Sequence, residues 1–323
     1  MATFAYHDPA KPHRSADGFR NNYPHPEKGG YWKWKWDQLR EGLPKLPEGG
    51  WRFALAKPAF SENPSVTWVG HATVLLRVGG LTVLTDPHFS ERASPVAFAG
   101  PKRVVPPVPA LADLPHIDVV VISHNHYDHL DHESVVRLAA QRGGPPRFFV
   151  PLGLRRWFAS RGIEATEMDW WERVDHKGLD VHFVPVQHWS KRTLTDENQS
   201  LWGGWVVRHR ELSFFFAGDT GYSADFADIR KRFGGFDLAA IPIGAYAPRW
   251  FMKIMHLDPA EAVRVHKDVN ARRSLAIHWG TFENLTDESL YEPPQLLAEE
   301  RKRAGLVEND FFVLKHGETR ALR

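Results

Sequence analysis

The stretch Ile122-Ser-His-Asn-His-Tyr-Asp-His-Leu130 decides how this chain is read. It continues the β-branched run Asp118-Val-Val-Val-Ile122, whose apolar character predicts a buried strand. Four metal-ligand side chains, His124, His126, Asp128 and His129, fall within six residues just past that strand. Imidazoles at i and i+2 project to one side of an extended backbone, and the Asp-His pair one turn later can face a second position. So dense a polar cluster is costly to bury unless something binds it. One strand end is therefore expected to supply ligands to two adjacent metal ions, which makes hydrolysis at a dinuclear centre the first expectation.

Three further positions share this context. His188 follows Val181-His-Phe-Val-Pro-Val-Gln187, Asp219 follows Phe214-Phe-Phe-Ala-Gly218, and His278 follows Leu275-Ala-Ile277. In layered α/β proteins, sites gather where strands end and loops begin. A lone histidine after a strand is more often a satisfied core residue, but a cluster plus three matching strand ends predicts a metal site.

Composition narrows the chemistry. The 323 residues are 42% apolar and 25% charged, which fits a folded globular protein of one large domain or two small ones. Net charge is +2, with 41 basic against 39 acidic residues, so no nucleic-acid partner is demanded. Cysteine is absent, which excludes disulfides, thiolate zinc knots and a cysteine nucleophile. Any metal must be held by nitrogen and oxygen, and 18 histidines supply the nitrogen. No signal peptide and no membrane-spanning run is recognisable, so a cytoplasmic location is expected.

Residues 1–64 read as an N-terminal arm and residues 65–323 as the metallo-hydrolase domain. Within the arm, Tyr31-Trp-Lys-Trp-Lys-Trp36 predicts a helix that lines up Trp32, Trp36, Leu39 and Leu43 on one face. Such a face suits a membrane interface; packing on the same domain or on a second subunit of a homodimer is the plainer reading. Beyond it, strands are expected over 65–70, 74–85 (a hairpin turning at Gly79-Gly80), 118–122, 147–150, 180–187, 201–208, 212–217, 237–243, 274–278 and 311–314. Helices are expected over 132–141, 224–233, 259–268 and 287–304. This alternation predicts sheets covered by helices.

The run Ser123-His-Asn-His-Tyr-Asp-His129 resembles the His-x-His-x-Asp-His signature of the metallo-β-lactamase superfamily, which implies an α/β fold, the αββα sandwich, with a dinuclear centre at one edge. A narrower resemblance spans almost everything from Thr67 to Arg320. The stretches Trp68-Val-Gly-His-Ala-Thr73, Leu84-Thr-Asp-Pro87, Gly100-Pro-Lys-Arg103, Gln187-His-Trp-Ser-Lys-Arg-Thr193 and Ala276-Ile-His-Trp-Gly-Thr-Phe282 look like the N-acyl-phosphatidylethanolamine-hydrolysing phospholipase D family. By that resemblance His124, His126 and His188 hold one zinc, Asp128, His129 and His278 hold the other, and Asp219 bridges them. Nitrogen and oxygen donors suit zinc and are also compatible with manganese or iron.

Two such cations lower the pKa of a shared water and clamp the attacking and leaving oxygens, so hydroxide attack on a phosphodiester is the expected reaction. The products would be phosphatidate and an N-acylethanolamine. Asp86, at a strand end, is expected either to orient a ligand imidazole or to cap a turn. His256, in Met255-His-Leu-Asp-Pro259, is expected to protonate the leaving alkoxide, to orient a phosphate oxygen, or merely to shape a helix entry. Lys191 and Arg192 are candidates for a phosphate oxygen, although such charge pairs are more often solvated. Tyr127 stands between ligands and faces the substrate entrance or the strand behind it. Trp250 and Phe251, next to Arg249, suit phospholipid acyl chains at a peripheral membrane surface, or the core. A lactonase, thioesterase or nuclease of the same superfamily is the alternative.

Overall fold

The computed structural model describes residues 4–23, 29–44 and 55–322. In chain order its strands are β1 (Ser65–Gly70), β2 (Thr73–Val78), β3 (Leu81–Thr85), the short β4 (Lys102–Arg103), β5 (Val119–Val121), β6 (Arg147–Pro151) and β7 (Ala165–Met168). The second half adds β8 (Arg173–His176), β9 (Leu179–Val184), β10 (Gly204–His209), β11 (Leu212–Phe216), β12 (Leu238–Pro242), β13 (Ser274–Ile277), the short β14 (Phe282–Glu283), β15 (Phe311–Phe312) and β16 (Thr319–Ala321). Two sheets result, ordered β16-β1-β2-β3-β5-β6-β7 and β15-β13-β12-β11-β10-β9-β8, while β4 and β14 pair separately.

Period-2 alternation assigns each side chain to a layer. Val74 and Leu76 of β2 join the core shared with Phe183, Trp205, Phe214 and Phe216 of the second sheet. Leu75, between them, joins Val120 and Val150 in a separate cluster on the other face. That outer cluster is covered by Val135 and Leu138 of α2 (His132–Ala139) and Phe158 of α3 (Arg155–Ala159). Beyond the second sheet lie α4 (Asp225–Phe233), α6 (Pro259–Asp268) and α7 (Glu292–Arg303), which contribute Phe226, Ile229, Val265 and Leu297. Each such fully buried side chain stabilises the fold by about 1.5–3 kcal/mol. The layering is αββα, as expected.

The Gly79-Gly80 turn has φ of 60° and 79°, the left-handed geometry that suits a tight hairpin. The helix expected over 287–304 begins only at Glu292, where Pro293 and Pro294 preset the first turn. Three elements between residues 155 and 176 and the edge strand β16 were not anticipated. They are short and partly exposed, so their patterns are weak. Through β16, which runs antiparallel to β1, the end of the chain closes the first sheet.

The arm corrects one expectation. Residues 31–41 do form a helix, α1 (Tyr31–Glu41), but its inward contact is Trp34, at 6% exposure. Trp34 stacks on Phe251 of α5 (Arg249–Met252) and donates its indole N–H to Asp287. Trp32, Trp36 and Leu39 are 83%, 61% and 77% exposed, so own-domain packing does not account for them. The cause is local: the Asp287 carboxylate and the Phe251 ring offer a polar and a stacking partner suited to one indole only. Among the described residues, no helix is long and apolar enough to cross a membrane.

Candidate metal centre

The strand ends converge on one edge of the sandwich. His71 follows β1, Asp86 follows β3, residues 124–129 follow β5, His188 comes after β9, Asp219 after β11 and His278 directly after β13. The sheets meet closely here. A Cβ on Gly218, whose φ is 62°, would lie 2.7 Å from the Ser123 Cβ, so glycine is required beside both Asp219 and His124.

The candidate ligands fall into two groups. In the first, His124 Nε2 lies 2.8 Å from His126 Nδ1, and His188 Nε2 lies 3.3 Å from the same atom. In the second, Asp128, His129 and His278 gather with His71, and the Nε2 atoms of His129 and His278 are 3.2 Å apart. Asp219 sits between them. Its oxygens are 3.0 Å from His129 and His278 and 3.9–4.0 Å from His188 and His124.

Hydrogen bonds on the far side of each ring fix which nitrogen faces the centre. Asp86 Oδ2 accepts from His129 Nδ1 at 2.7 Å, and Asp86 also accepts from the Ser123 N–H and hydroxyl. With its proton given to Asp86, the Ser123 oxygen faces His124 Nδ1 at 2.9 Å as an acceptor. The Met255 carbonyl faces His188 Nδ1 at 3.0 Å. Each of these three imidazoles thus turns Nε2 inward. Buried ring nitrogens facing one another at 2.8–3.3 Å repel unless a proton or cation lies between them, so the donor set fits metal ions.

The electrostatics agree. Burial opposes charging of His129, but Asp219 and Asp128 overcome it and push this imidazole well above its ordinary value. Burial likewise opposes charging of His278, yet the same carboxylates raise it to about 9. Burial also works against ionisation of Asp128 and Asp219, and His129 outweighs it, holding both carboxyls well below the usual range. The field of the carboxylates therefore gathers positive charge between the rings.

The other sequence candidates are placed differently. His256 Nδ1 is 3.9 Å from Asp219 Oδ2, and burial lowers its imidazole to about 4. Arg249 donates to the His256 carbonyl at 2.9 Å and to Glu261 at 2.7 Å, and its Nε lies 3.3 Å from Asp258, so it fastens this loop to α6. Arg192 donates to the carbonyls of Asn125 and Leu130 and lies 4.0 Å over the Tyr127 ring, whose hydroxyl donates back to the Arg192 carbonyl. Arg192 and Tyr127 thus brace the ligand loop from outside. Lys191 is paired with Glu197 at 3.0 Å. Trp250 is half exposed beneath Lys33, and Phe251 is the seat of Trp34.

Sequence reasoning passed over His71. It lies 3.0 Å from Asp128, its ring centroid is 4.0 Å from that of His278, and its carbonyl accepts from the His278 N–H. Both residues have left-handed backbones, φ 54° and 62°, conformations that β-carbon residues hold only under strong constraint. The rule that selects His188 would have found His71 too, because it follows the strand sequence Val66-Thr-Trp-Val-Gly70. Beside His71 and His278 a cleft opens, lined by Trp279, Phe282, Leu285 and Glu288.

A family model described as the beta-lactamase superfamily domain matches residues 82–279. The chain is 46% identical, over 264 residues, to N-acyl-phosphatidylethanolamine-hydrolyzing phospholipase D 1 of Caenorhabditis elegans, covering 78% of this chain and 74% of that protein. To the mitochondrial N-acyl-phosphatidylethanolamine-hydrolyzing phospholipase D of Saccharomyces cerevisiae it is 38% identical over 239 residues, 72% of this chain but only 50% of the yeast protein. Among solved structures, isothiocyanate hydrolase from Delia radicum gut bacteria matches with a TM-score of 0.62 over 80% of this chain and 98% of that one, at 21% identity, which is a likeness of fold. The chain belongs to the metallo-β-lactamase superfamily and, within it, to the N-acyl-phosphatidylethanolamine-hydrolysing phospholipase D family.

Proposed function

We propose that the protein is a two-zinc phosphodiesterase that hydrolyses N-acyl-phosphatidylethanolamine to phosphatidate and an N-acylethanolamine at a membrane surface. The observation that carries this reading is the convergence of His124, His126 and His188 on one side of Asp219 and of Asp128, His129 and His278 on the other, in a chain of this family. Donors confined to imidazole and carboxylate suit zinc. When bound, the two cations supply Lewis acidity and lower the pKa of water.

The chain's own residues do the rest. Asp86 holds the His129 tautomer, and the Ser123 oxygen holds that of His124. His256, neutral at ordinary pH, offers one N–H and one lone pair beside Asp219, which suits a hydrogen bond to a phosphate or leaving-group oxygen. The cleft beside His278 brings Trp279, Phe282 and Leu285 close to the centre, an apolar flank for a lipid. The solvent-facing stripe of Trp32, Trp36 and Leu39 is the surface we assign to the membrane interface.

The test is a substrate panel on zinc-loaded protein: N-acyl-phosphatidylethanolamine, phosphatidylcholine, an acyl-homoserine lactone and a short RNA. Release of N-acylethanolamine is expected. Turnover of the lactone or RNA with none of the phospholipid defeats the proposal. Within the same assay His256→Ala should lower kcat at full metal content, and an unchanged kcat would remove His256 from the reaction.

A further inference from the structure

The N-terminal arm reaches the metal centre from behind. Asn21 closes a two-point contact with the backbone of His188: its Nδ2 donates to the His188 carbonyl at 2.9 Å, and its Oδ1 accepts from the His188 N–H at 3.1 Å. One amide thereby satisfies both backbone groups of His188, as a neighbouring strand would. The same Oδ1 accepts from the buried Trp202 indole at 3.0 Å, and that indole also donates to the Val186 carbonyl.

The arm is anchored independently of this contact. Asp169, buried at the end of β7, gathers Lys11 at 2.6 Å, His13 at 2.7 Å and Arg14 at 3.5 Å. His13 stacks on Trp170, whose indole donates to the Trp202 carbonyl. Phe19 is buried and its N–H donates to the Asn198 carbonyl, while Asn22 and Tyr23 bond to Asp225 and Asp228 of α4. Asn21 is thus held on both sides, and its contact with His188 is not an incidental touch of a loose tail.

We infer that Asn21 is a positioning residue for the His124–His126–His188 half of the centre. The imidazole of His188 is steered at two ends: the Met255 carbonyl fixes the ring, and Asn21 fixes the backbone that carries it. Partners that orient a ligand commonly govern metal affinity; the Met255 carbonyl acts at the ring, and Asn21 acts one step farther out, through the backbone. The arm is in this sense part of the metal centre. In the other half, built on Asp128, His129 and His278, the ring of His129 is held by Asp86.

This inference rests on His188 being a ligand, so His188→Ala is the reference. Zinc titration against a chromophoric chelator, with the metal-free melting temperature measured in parallel, reads both. Asn21→Ala is expected to weaken one of two zinc equivalents by about 10- to 100-fold and to leave the other unchanged. The metal-free melting temperature should stay near that of Asn22→Ala, which loosens the arm without touching His188 and should keep both equivalents. In cobalt-substituted protein, Asn21→Ala should change the visible spectrum where Asn22→Ala does not. Should Asn21→Ala fail to fold, Asn21→Asp retains the acceptor for the His188 N–H, loses the donor to its carbonyl, and is expected to show a smaller loss at the same equivalent. Two wild-type equivalents in Asn21→Ala or Asn21→Asp, with one lost in His188→Ala, overturn the inference and leave the ligand assignment standing. Two wild-type equivalents in His188→Ala overturn both.

Discussion

Asp86 spends both carboxylate oxygens on the ligand loop, one on the Ser123 N–H and the other on the Ser123 hydroxyl and His129 Nδ1. Its φ of 33° is one that Asp and Asn tolerate better than most residues. Asp86→Asn therefore keeps the backbone while disturbing the proton arrangement at His129. Affinity for the metal equivalent we assign to Asp128, His129 and His278 should drop about 10- to 100-fold, as read by chelator competition, and wild-type affinity would sink this role. At this scale the candidate ligands were legible because all of them follow hydrophobic strands, four after one strand and one after each of three others, a pattern local enough to see in the sequence. Arg192 was not legible. A basic residue four positions after His188 gives no hint that its guanidinium will close on the Asn125 and Leu130 carbonyls of a distant loop.

Elements show which surfaces the site keeps for itself. α1 turns Trp34 toward Phe251 and Asp287 and leaves Trp32 and Trp36 in solvent. Exposed indoles on a short helix bearing Lys33 and Lys35 suit the lipid headgroup region. Trp32→Ser with Trp36→Ser should cut partitioning onto anionic vesicles several-fold while preserving kcat on a short-chain, monomeric substrate. Undiminished vesicle binding would take α1 out of the membrane argument. Helical periodicity forecast the helix and aligned Trp32 with Trp36, but one of its readings, with that face packed on its own domain, is not what forms, although an i, i+4 pair of tryptophans normally marks the buried side. What reversed it was the tertiary offer of one carboxylate and one stacking ring. Likewise α6 was legible from Asp258, Pro259 and Glu261, a cap that the structure completes in both directions, whereas β16 is too short and polar to announce itself.

For the whole molecule, acid should act on the arm before the sandwich. The buried Asp169 carboxyl is held down to about 2; burial opposes this, and bonds from His13 and Lys11 prevail. A depressed carboxyl stabilises the fold fully above its unfolded value of about 3.9 and loses that contribution as pH falls toward about 2, an effect of about 2–3 kcal/mol. Melting curves of the wild type and Asp169→Asn should therefore differ most above pH 4 and converge toward pH 2; a constant gap across that window would count against the clasp. Chelation should lower the melting temperature yet leave the sandwich folded by far-ultraviolet dichroism, because its apolar core is built without the centre. Loss of sheet signal on chelation would contradict this. The layered fold was legible from strand and helix alternation; the arm's path was not, because isolated polar contacts such as Lys11 with Asp169 carry no periodicity. One consequence of the ligand layout concerns time rather than equilibrium. His124, His126, Asp128 and His129 hang from one sheet and His188, Asp219 and His278 from the other, so occupied metal positions rivet the two layers together. With both positions filled, the layers would not slide apart until a rivet leaves, which would tie the lifetime of the metal-loaded protein to the escape rate of the metal.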